Sequence, residues 1–359
     1  MPARLCARAV TVLVTAGLLV ASLAGPAAAH GRGSDATNYR STVTRQPELP
    51  GVSWRMYGGD EYLSVTNTSD VELVVQGYAE EPYLRVGPDG VFVNRASPAT
   101  YQNADRYGES PVPEEGVDAS LPPRWAKVSG GGSYAWHDHR VHWMSRNLPP
   151  QVTDPGRTTL VNEWTVPFSV GRRAYTVSGT LEWVPAPSPL PWLAVAVVVT
   201  LPALLGLRSG GKGDWRHRLA RPAAAVLGVV ALVNLTHLVD DLFAVPLPAA
   251  TKALAAAQTA MFIAIALFGA LRGWQGRDGS FTALGVGAGA LLVGQGLLYV
   301  SVLGTSQSAS VFPDALARTA VALSLVQAVT VGAVAVAGNR RLAAEAAPAE
   351  PDPEAAPVT

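Results

Sequence analysis

From residue 45 to 185 apolar and polar positions alternate in short runs, the two-residue repeat of half-buried strands. Val52-Ser53-Trp54-Arg55-Met56-Tyr57 alternates, Gly58-Gly59-Asp60 turns, and Tyr62-Leu63-Ser64-Val65-Thr66 follows. Asn67 to Asp70 turns again into Val71-Glu72-Leu73-Val74-Val75. Tyr83–Val86 and Val91–Asn94 flank Pro88-Asp89-Gly90, a strong hairpin signal. Thr158–Val166, Phe168–Val170 and Tyr175–Val184 read as further strands, whereas Ala96–Lys127 reads as a long loop. Short strands broken by Gly, Pro, Asn and Asp predict an immunoglobulin-like β-sandwich. Six of the nine tryptophans lie in it, and some must be core.

The back half has a different pattern. After a stiff stalk, Pro185 to Pro189, come five apolar runs: Leu190–Leu207, Pro222–Phe243, Ala249–Leu271, Phe281–Leu303 and Ala315–Ala337. At ~1.5 Å rise per residue each crosses, or nearly crosses, a hydrocarbon core of ~30 Å. Arg208, Lys212, Arg216, Arg218 and Arg221 follow the first run, Arg272 and Arg277 the third, and Arg340 and Arg341 the fifth. The alternate loops, Ala244–Pro248 and Gly304–Asp314, hold no Lys or Arg, so the basic loops belong in the cytoplasm.

The first residues agree with that orientation. Arg4 and Arg8 precede an apolar run, Ala9–Ala24, and Ala27-Ala28-Ala29 supplies small residues for a signal peptidase. A cut before His30 makes that histidine the mature N-terminus, and a cut after Ala27 competes with it. The expected organisation is a signal peptide (1–29), an extracytoplasmic β-sandwich (30–184), the stalk (185–189), a five-helix transmembrane bundle (190–338) and a disordered cytoplasmic tail (339–359).

Composition narrows the function. Charged residues make up 15%, below the ~25% usual in soluble domains. Lys plus Arg and Asp plus Glu number 27 each, which argues against a general nucleic-acid binder. The single cysteine, Cys6, lies in the signal segment, leaving no disulfide or thiol nucleophile in the mature chain.

The candidate chemistry is histidine. Three of the six sit in Trp136-His137-Asp138-His139-Arg140-Val141-His142-Trp143-Met144. On a strand His137 and His139 project to one face about 7 Å apart, within reach of one metal ion. His142 and Met144 add a second pair. Neutral imidazoles suit copper, zinc or nickel, and the thioether leans toward copper in its reduced state. Asp138 orients a ligand or binds directly. The alternative is structural: an Asp138–Arg140 ion pair, with imidazoles bonded to backbone in a loop packed by Trp136 and Trp143.

His30 extends the argument, because a terminal amine and its own imidazole can chelate one metal, with a third imidazole from residues 137–142 completing the site. This set of features resembles the histidine brace of CopC-type copper-binding proteins and of copper polysaccharide monooxygenases. The CopC likeness implies a secreted β-sandwich that captures copper. The chain departs from the CopC Asp-x-His motif, since Asp138 directly precedes His139. Glu81-Pro82-Tyr83-Leu84-Arg85-Val86-Gly87-Pro88-Asp89-Gly90-Val91 and the Trp-His-Asp-His-Arg segment resemble a family of membrane-anchored actinobacterial proteins with a secreted domain. That likeness implies the boundaries above and no activity.

A second constellation lies in the second apolar run. Asn234, His237 and Asp241 share one helix face, Asp240 stands beside them, and Gln258, Gln295 and Tyr299 fall in outer halves of their runs. A polar pocket open to the external side follows, able to bind a metal or relay a proton. The alternative is an interfacial cap. Gly285 and Gly289 suggest close helix packing. No Gly-x-Ser-x-Gly elbow is present and Glu114-Glu115 looks solvated, so the case for an enzyme is thin.

The expected function is a membrane-anchored copper-binding protein that captures or delivers the ion. Its implied partners are the bilayer and other copper-handling or oxidase-assembly proteins. The competing expectation is a cell-surface module that binds a protein or envelope polymer without metal.

Overall fold

A computed structural model describes residues 36–109, 111–113, 115–208 and 214–346. The expected signal peptide, His30, Glu114 and residues 347–359 lie outside the described residues.

Ten strands form two antiparallel sheets: β1 (Tyr39–Arg45), β2 (Val52–Tyr57), β3 (Tyr62–Asn67), β4 (Leu73–Gln76), β5 (Pro82–Gly87), β6 (Gly90–Asn94), β7 (Trp125–Ser129), β8 (Ser133–Trp136), β9 (Thr159–Val170) and β10 (Arg173–Trp183). One sheet has seven strands, ordered β1-β10-β9-β4-β5-β6-β7, and the other three, β2-β3-β8. Trp54, Leu63, Val65 and Trp136 from the smaller sheet share a core with Leu73, Leu84, Val166 and Phe168 from the larger, and the Trp54 and Phe168 rings are 5.0 Å apart. Each such side chain contributes roughly 1.5–3 kcal/mol by leaving water.

Alternation sets the facing of the strands. In β10, Val177, Gly179, Leu181 and Trp183 are buried at every second position. Gly179 is required there, because the Trp164 indole crosses it and a Cβ would stand 2.1 Å from the ring. β1 and β7 lie where no strand is expected from the sequence, β7 closing the supposed loop that also holds a short helix, α1 (Ala99–Gln102). β9 runs through Pro167, just outside its pairing with β4 at Phe168–Val170, where β10 alone lies alongside.

Five helical stretches are long and apolar enough to cross a membrane: Leu190–Arg208, Trp215–Phe243, Ala249–Gln275, Ser280–Leu297 and Asp314–Ala346. The first is an α-helix, α2 (Leu190–Thr200), continued by a 3₁₀ segment that contains Pro202. The second breaks at Asn234 into α3 (Trp215–Val233) and α4 (Leu235–Phe243). α3 starts seven residues before Pro222 because Trp215 has a partner, stacking on Phe281 at 5.7 Å. α5 (Ala249–Gln275) is unbroken, and α6 (Ser280–Leu291) passes into a π-helical turn, Leu292–Leu297.

α7 (Asp314–Ala346) extends beyond Ala337 into the stretch expected to be an unstructured tail. Arg341 lies over the Trp215 ring at 4.2 Å, which anchors this extension. Large apolar side chains such as Leu190, Val198, Leu254 and Val329 face outward, as lipid contact requires. The close helix approach falls at Gly287, whose Cβ would meet Ala266 backbone, rather than at Gly289, which faces open space.

The β-domain is strapped to the bundle. Thr37 and Gln307 exchange backbone hydrogen bonds of 3.0 and 2.9 Å, and Ser306 N–H donates to Asn38 Oδ1 at 2.8 Å. Gly59, with φ +74, packs against Thr37, Tyr39 and Gln307 so closely that a Cβ would collide. The β2–β3 turn is therefore fixed between the chain's entry and the bundle.

Candidate metal centre in the β-domain

That turn leads directly to the histidines. Asp60 and Glu61 follow Gly59, and both carboxylates are gripped by Arg106, at 2.6 Å to Asp60 and 2.5 Å to Glu61. Asp60 is wholly buried; burial raises its carboxyl pKa, and the Arg106 charge and hydrogen bond oppose that rise. Glu61 presents two acceptors to His137 Nδ1, its backbone carbonyl at 3.1 Å and its Oε1 at 3.3 Å.

His137 and His139 are not on a strand. β8 ends at Trp136, and the histidines lie in the loop that follows. Alternating projection therefore does not bring them together; separate anchors hold them. His137 stacks on Tyr62 with ring centroids 4.3 Å apart. His139 Nε2 donates to the Asp105 carbonyl at 3.0 Å, its backbone N–H donates to Tyr78 Oη at 2.9 Å, and its ring lies 6.0 Å from that of Tyr78.

These carbonyls decide the tautomers. A carbonyl only accepts, so His137 carries its proton on Nδ1 and His139 on Nε2. That leaves His137 Nε2 and His139 Nδ1 as the ring nitrogens turned away from those carbonyls. Burial first, with the Arg106 charge acting in the same direction, pushes the His137 pKa down to about 4. It is neutral at pH 7. Backbone-locked imidazoles of this kind are how proteins orient metal ligands.

His142 is different. It is 4% exposed; both ring nitrogens are buried without a well-formed hydrogen bond, and the Arg106 backbone lies within weak bonding reach of the ring. Burial, then the charges of Arg106, His139 and His137, push its pKa down to about 3, with the Arg106 backbone as a minor opposing influence. Its ring centroid is 5.4 Å from that of His139 and 6.5 Å from that of His137. A buried imidazole without a well-formed bond at either nitrogen carries a desolvation cost of about 1–3 kcal/mol per polar group. The structural alternative of bonded rings covers one nitrogen each on His137 and His139; for His142 it offers only the Arg106 backbone.

Asp138 has other work. Its oxygens accept from Arg140 Nε and Nη2, both at 2.7 Å, from the Arg140 backbone N–H at 3.1 Å and from Trp136 Nε1 at 2.9 Å. Burial works to raise this carboxyl; the Arg140 and Trp136 bonds outweigh it and hold its pKa below the usual range. Arg140 also donates to the Gln76 carbonyl at 3.2 Å, fastening the loop to β4. Met144 is half-buried and lines an open groove of about 660 Å³ together with His139, His142, Trp143 and the first half of β9. Among the described residues, no three His, Cys, Asp or Glu side chains already stand in a geometry that holds a metal ion.

The second constellation assembles at one end of the bundle. His237 Nδ1 is 2.6 Å from Gln295 Oε1, on the π-helical turn, and its ring stacks on Tyr299 at 4.6 Å. Asn234 donates to Ser324 Oγ at 2.9 Å. Asp240 accepts from Ser310 Oγ at 2.9 Å and from the Val311 N–H at 2.9 Å. A cavity of about 90 Å³ is lined by His237, Asp240, Asp241, Lys252 and Tyr299, and also by Ala36, the first described residue.

Sequence reasoning missed Asp60, Glu61, Tyr62, Tyr78, Asp105 and Arg106. They reach the histidines only through the fold, although Asp60-Glu61 after a double glycine was a visible signal.

No family model, curated relative or solved structure matches this chain.

Proposed function

We propose that this is a membrane-anchored extracytoplasmic protein that binds copper through the 137–142 segment, for capture or delivery of the ion. One observation carries the reading: three imidazoles cluster, two with one nitrogen tied to a carbonyl and the third, His142, with both nitrogens buried and no bond beyond weak contact with the Arg106 backbone. Metal coordination supplies what His142 lacks. Asp138 and Arg140 form the supporting layer rather than ligands. Imidazole donors favour copper, zinc or nickel, and Met144 in the adjoining groove inclines the choice to copper.

The setting proposed is a β-sandwich. Two sheets over one core support it, and short antiparallel strands with Trp54 buried between the sheets support the immunoglobulin-like form. The orientation proposed rests on the basic loops, and cleavage before His30 on the alanine triplet. His30 is six residues before Ala36, a contour of about 20 Å. Thr37 in turn packs on Gly59, two residues from the carbonyl that locks His137. A mature terminal amine has the reach to join the cluster. The implied partners are copper-handling or oxidase-assembly proteins.

The test is elemental analysis of the intact chain, purified in detergent, loaded with copper and freed of excess, with the mature N-terminus read by mass spectrometry. Retention of copper by the wild type, and its loss when His137, His139 and His142 are all replaced by Ala, is expected. Equal retention by both proteins, or by neither, overturns the reading.

A second reading draws on the groove itself. It is open, lined by Trp143, Arg140, Asn162 and Glu163, and it suits a polymer or peptide ligand without metal.

A further inference from the structure

We propose that the His142 side of the cluster, with Met144, holds copper in its monovalent state. This rests on the copper reading above and specifies the ion it selects.

Two features converge. The first is the donor set. His139, His142 and Met144 line the same groove, so two imidazole-bearing residues and a thioether-bearing one border one space. Thioether sulfur is a soft, polarisable donor that discriminates strongly in favour of Cu(I) over hard or borderline divalent ions. Two nitrogens and one sulfur also satisfy the low coordination number that a monovalent copper ion accepts. The square-planar nitrogen set suited to Cu(II) needs a further nitrogen.

The second is burial. His142 is 4% exposed and lies beside Val141, which is fully buried. The cost of taking an ion out of water rises with the square of its charge, so a divalent ion is penalised about four times as heavily as a monovalent one.

His137 stands apart from this set. It does not line the groove, its ring is tied to Glu61, and its centroid is 6.5 Å from that of His142. The cluster thus offers a nitrogen-rich side, at His137, and a softer side, at Met144, with His142 common to both. No electron transfer is invoked; the ion arrives and leaves as Cu(I).

The experiment uses the full chain in detergent and two probes: Ag(I), a redox-inert stand-in for Cu(I), and Cu(II). Their affinities are measured by competition with chelators for the wild type, Met144→Leu and His142→Ala. Leu conserves the volume of Met, and Met144 is half-buried, so the fold is retained. The expected result is an affinity for Ag(I) lowered about tenfold or more in Met144→Leu, with Cu(II) changed by less than about twofold. His142→Ala loses both ions. If Met144→Leu leaves Ag(I) binding unchanged, or weakens both ions equally, the monovalent assignment is overturned while the copper reading stands. If His142→Ala binds both ions as the wild type does, the copper reading itself is overturned.

Discussion

The Arg106 guanidinium donates to Asp60 Oδ2 at 2.6 Å, and that carboxylate is wholly out of solvent. The same guanidinium holds Glu61, whose carbonyl fixes the His137 tautomer. One arginine therefore supports the floor of the histidine cluster. Replacing it strands a buried carboxylate, so Arg106→Met lowers the stability of the β-domain by about 3–5 kcal/mol. Tryptophan-fluorescence melting of the purified chain checks this; a loss under about 1 kcal/mol contradicts it.

Asp138 separates a supporting role from a ligand role. With Arg140 and Trp136 occupying its oxygens, Asp138→Asn destabilises the domain by about 3 kcal/mol or more. The folded fraction keeps the wild-type metal stoichiometry. A folded Asp138→Asn protein that no longer binds metal makes Asp138 a ligand after all.

The two depressed imidazoles fix the sign of a pH effect. In the unfolded chain histidine protonates near pH 6.5, whereas in the fold His137 does so near 4 and His142 near 3. Between those values the unfolded state binds more protons. Stability falls as pH drops below 6.5, by up to about 1.4 kcal/mol per pH unit for each residue, and neither contributes above pH 7 or so. Denaturation midpoints from pH 7.5 to 4.5 decline steeply in the metal-free wild type and less steeply in a His137→Gln, His142→Gln double variant. Parallel slopes contradict the assignment.

The strap between domain and bundle rests on backbone hydrogen bonds between Thr37 and Gln307. Gln307→Pro removes one donor, worth about 0.5–1.5 kcal/mol. Faster amide exchange at Thr37 and Asn38, with the strands β9 and β10 unchanged, is the expected outcome; unchanged exchange at Thr37 means the strap is not a coupled unit.

Much of the bundle is legible in the sequence because length and apolarity alone make a membrane-crossing helix. Its irregularities depend on partners. The early start of α3 follows from Trp215 stacking on Phe281, and the late end of α7 from Arg341 on Trp215. β2, β3, β5 and β6 are announced by alternation and turn residues, while β1 and β7 become strands through the neighbours they pair with, β10 and β6. The histidine triplet is visible as a motif. Its geometry is not, since the rings are placed by Glu61 and Asp105, 76 and 34 residues earlier. Contacts at such separations leave no periodic trace. For the same reason His237 could be read as polar and intramembrane, yet its Gln295 and Tyr299 partners depend on a π-helical turn that no local signal marks.

The most direct test of the central claim is copper-edge X-ray absorption on the loaded full chain, wild type beside His142→Ala. The account predicts about one tightly held copper ion per chain, with the outer-shell scattering of at least two imidazoles, both lost in the variant. Copper without imidazole scattering, or an identical spectrum in His142→Ala, contradicts it.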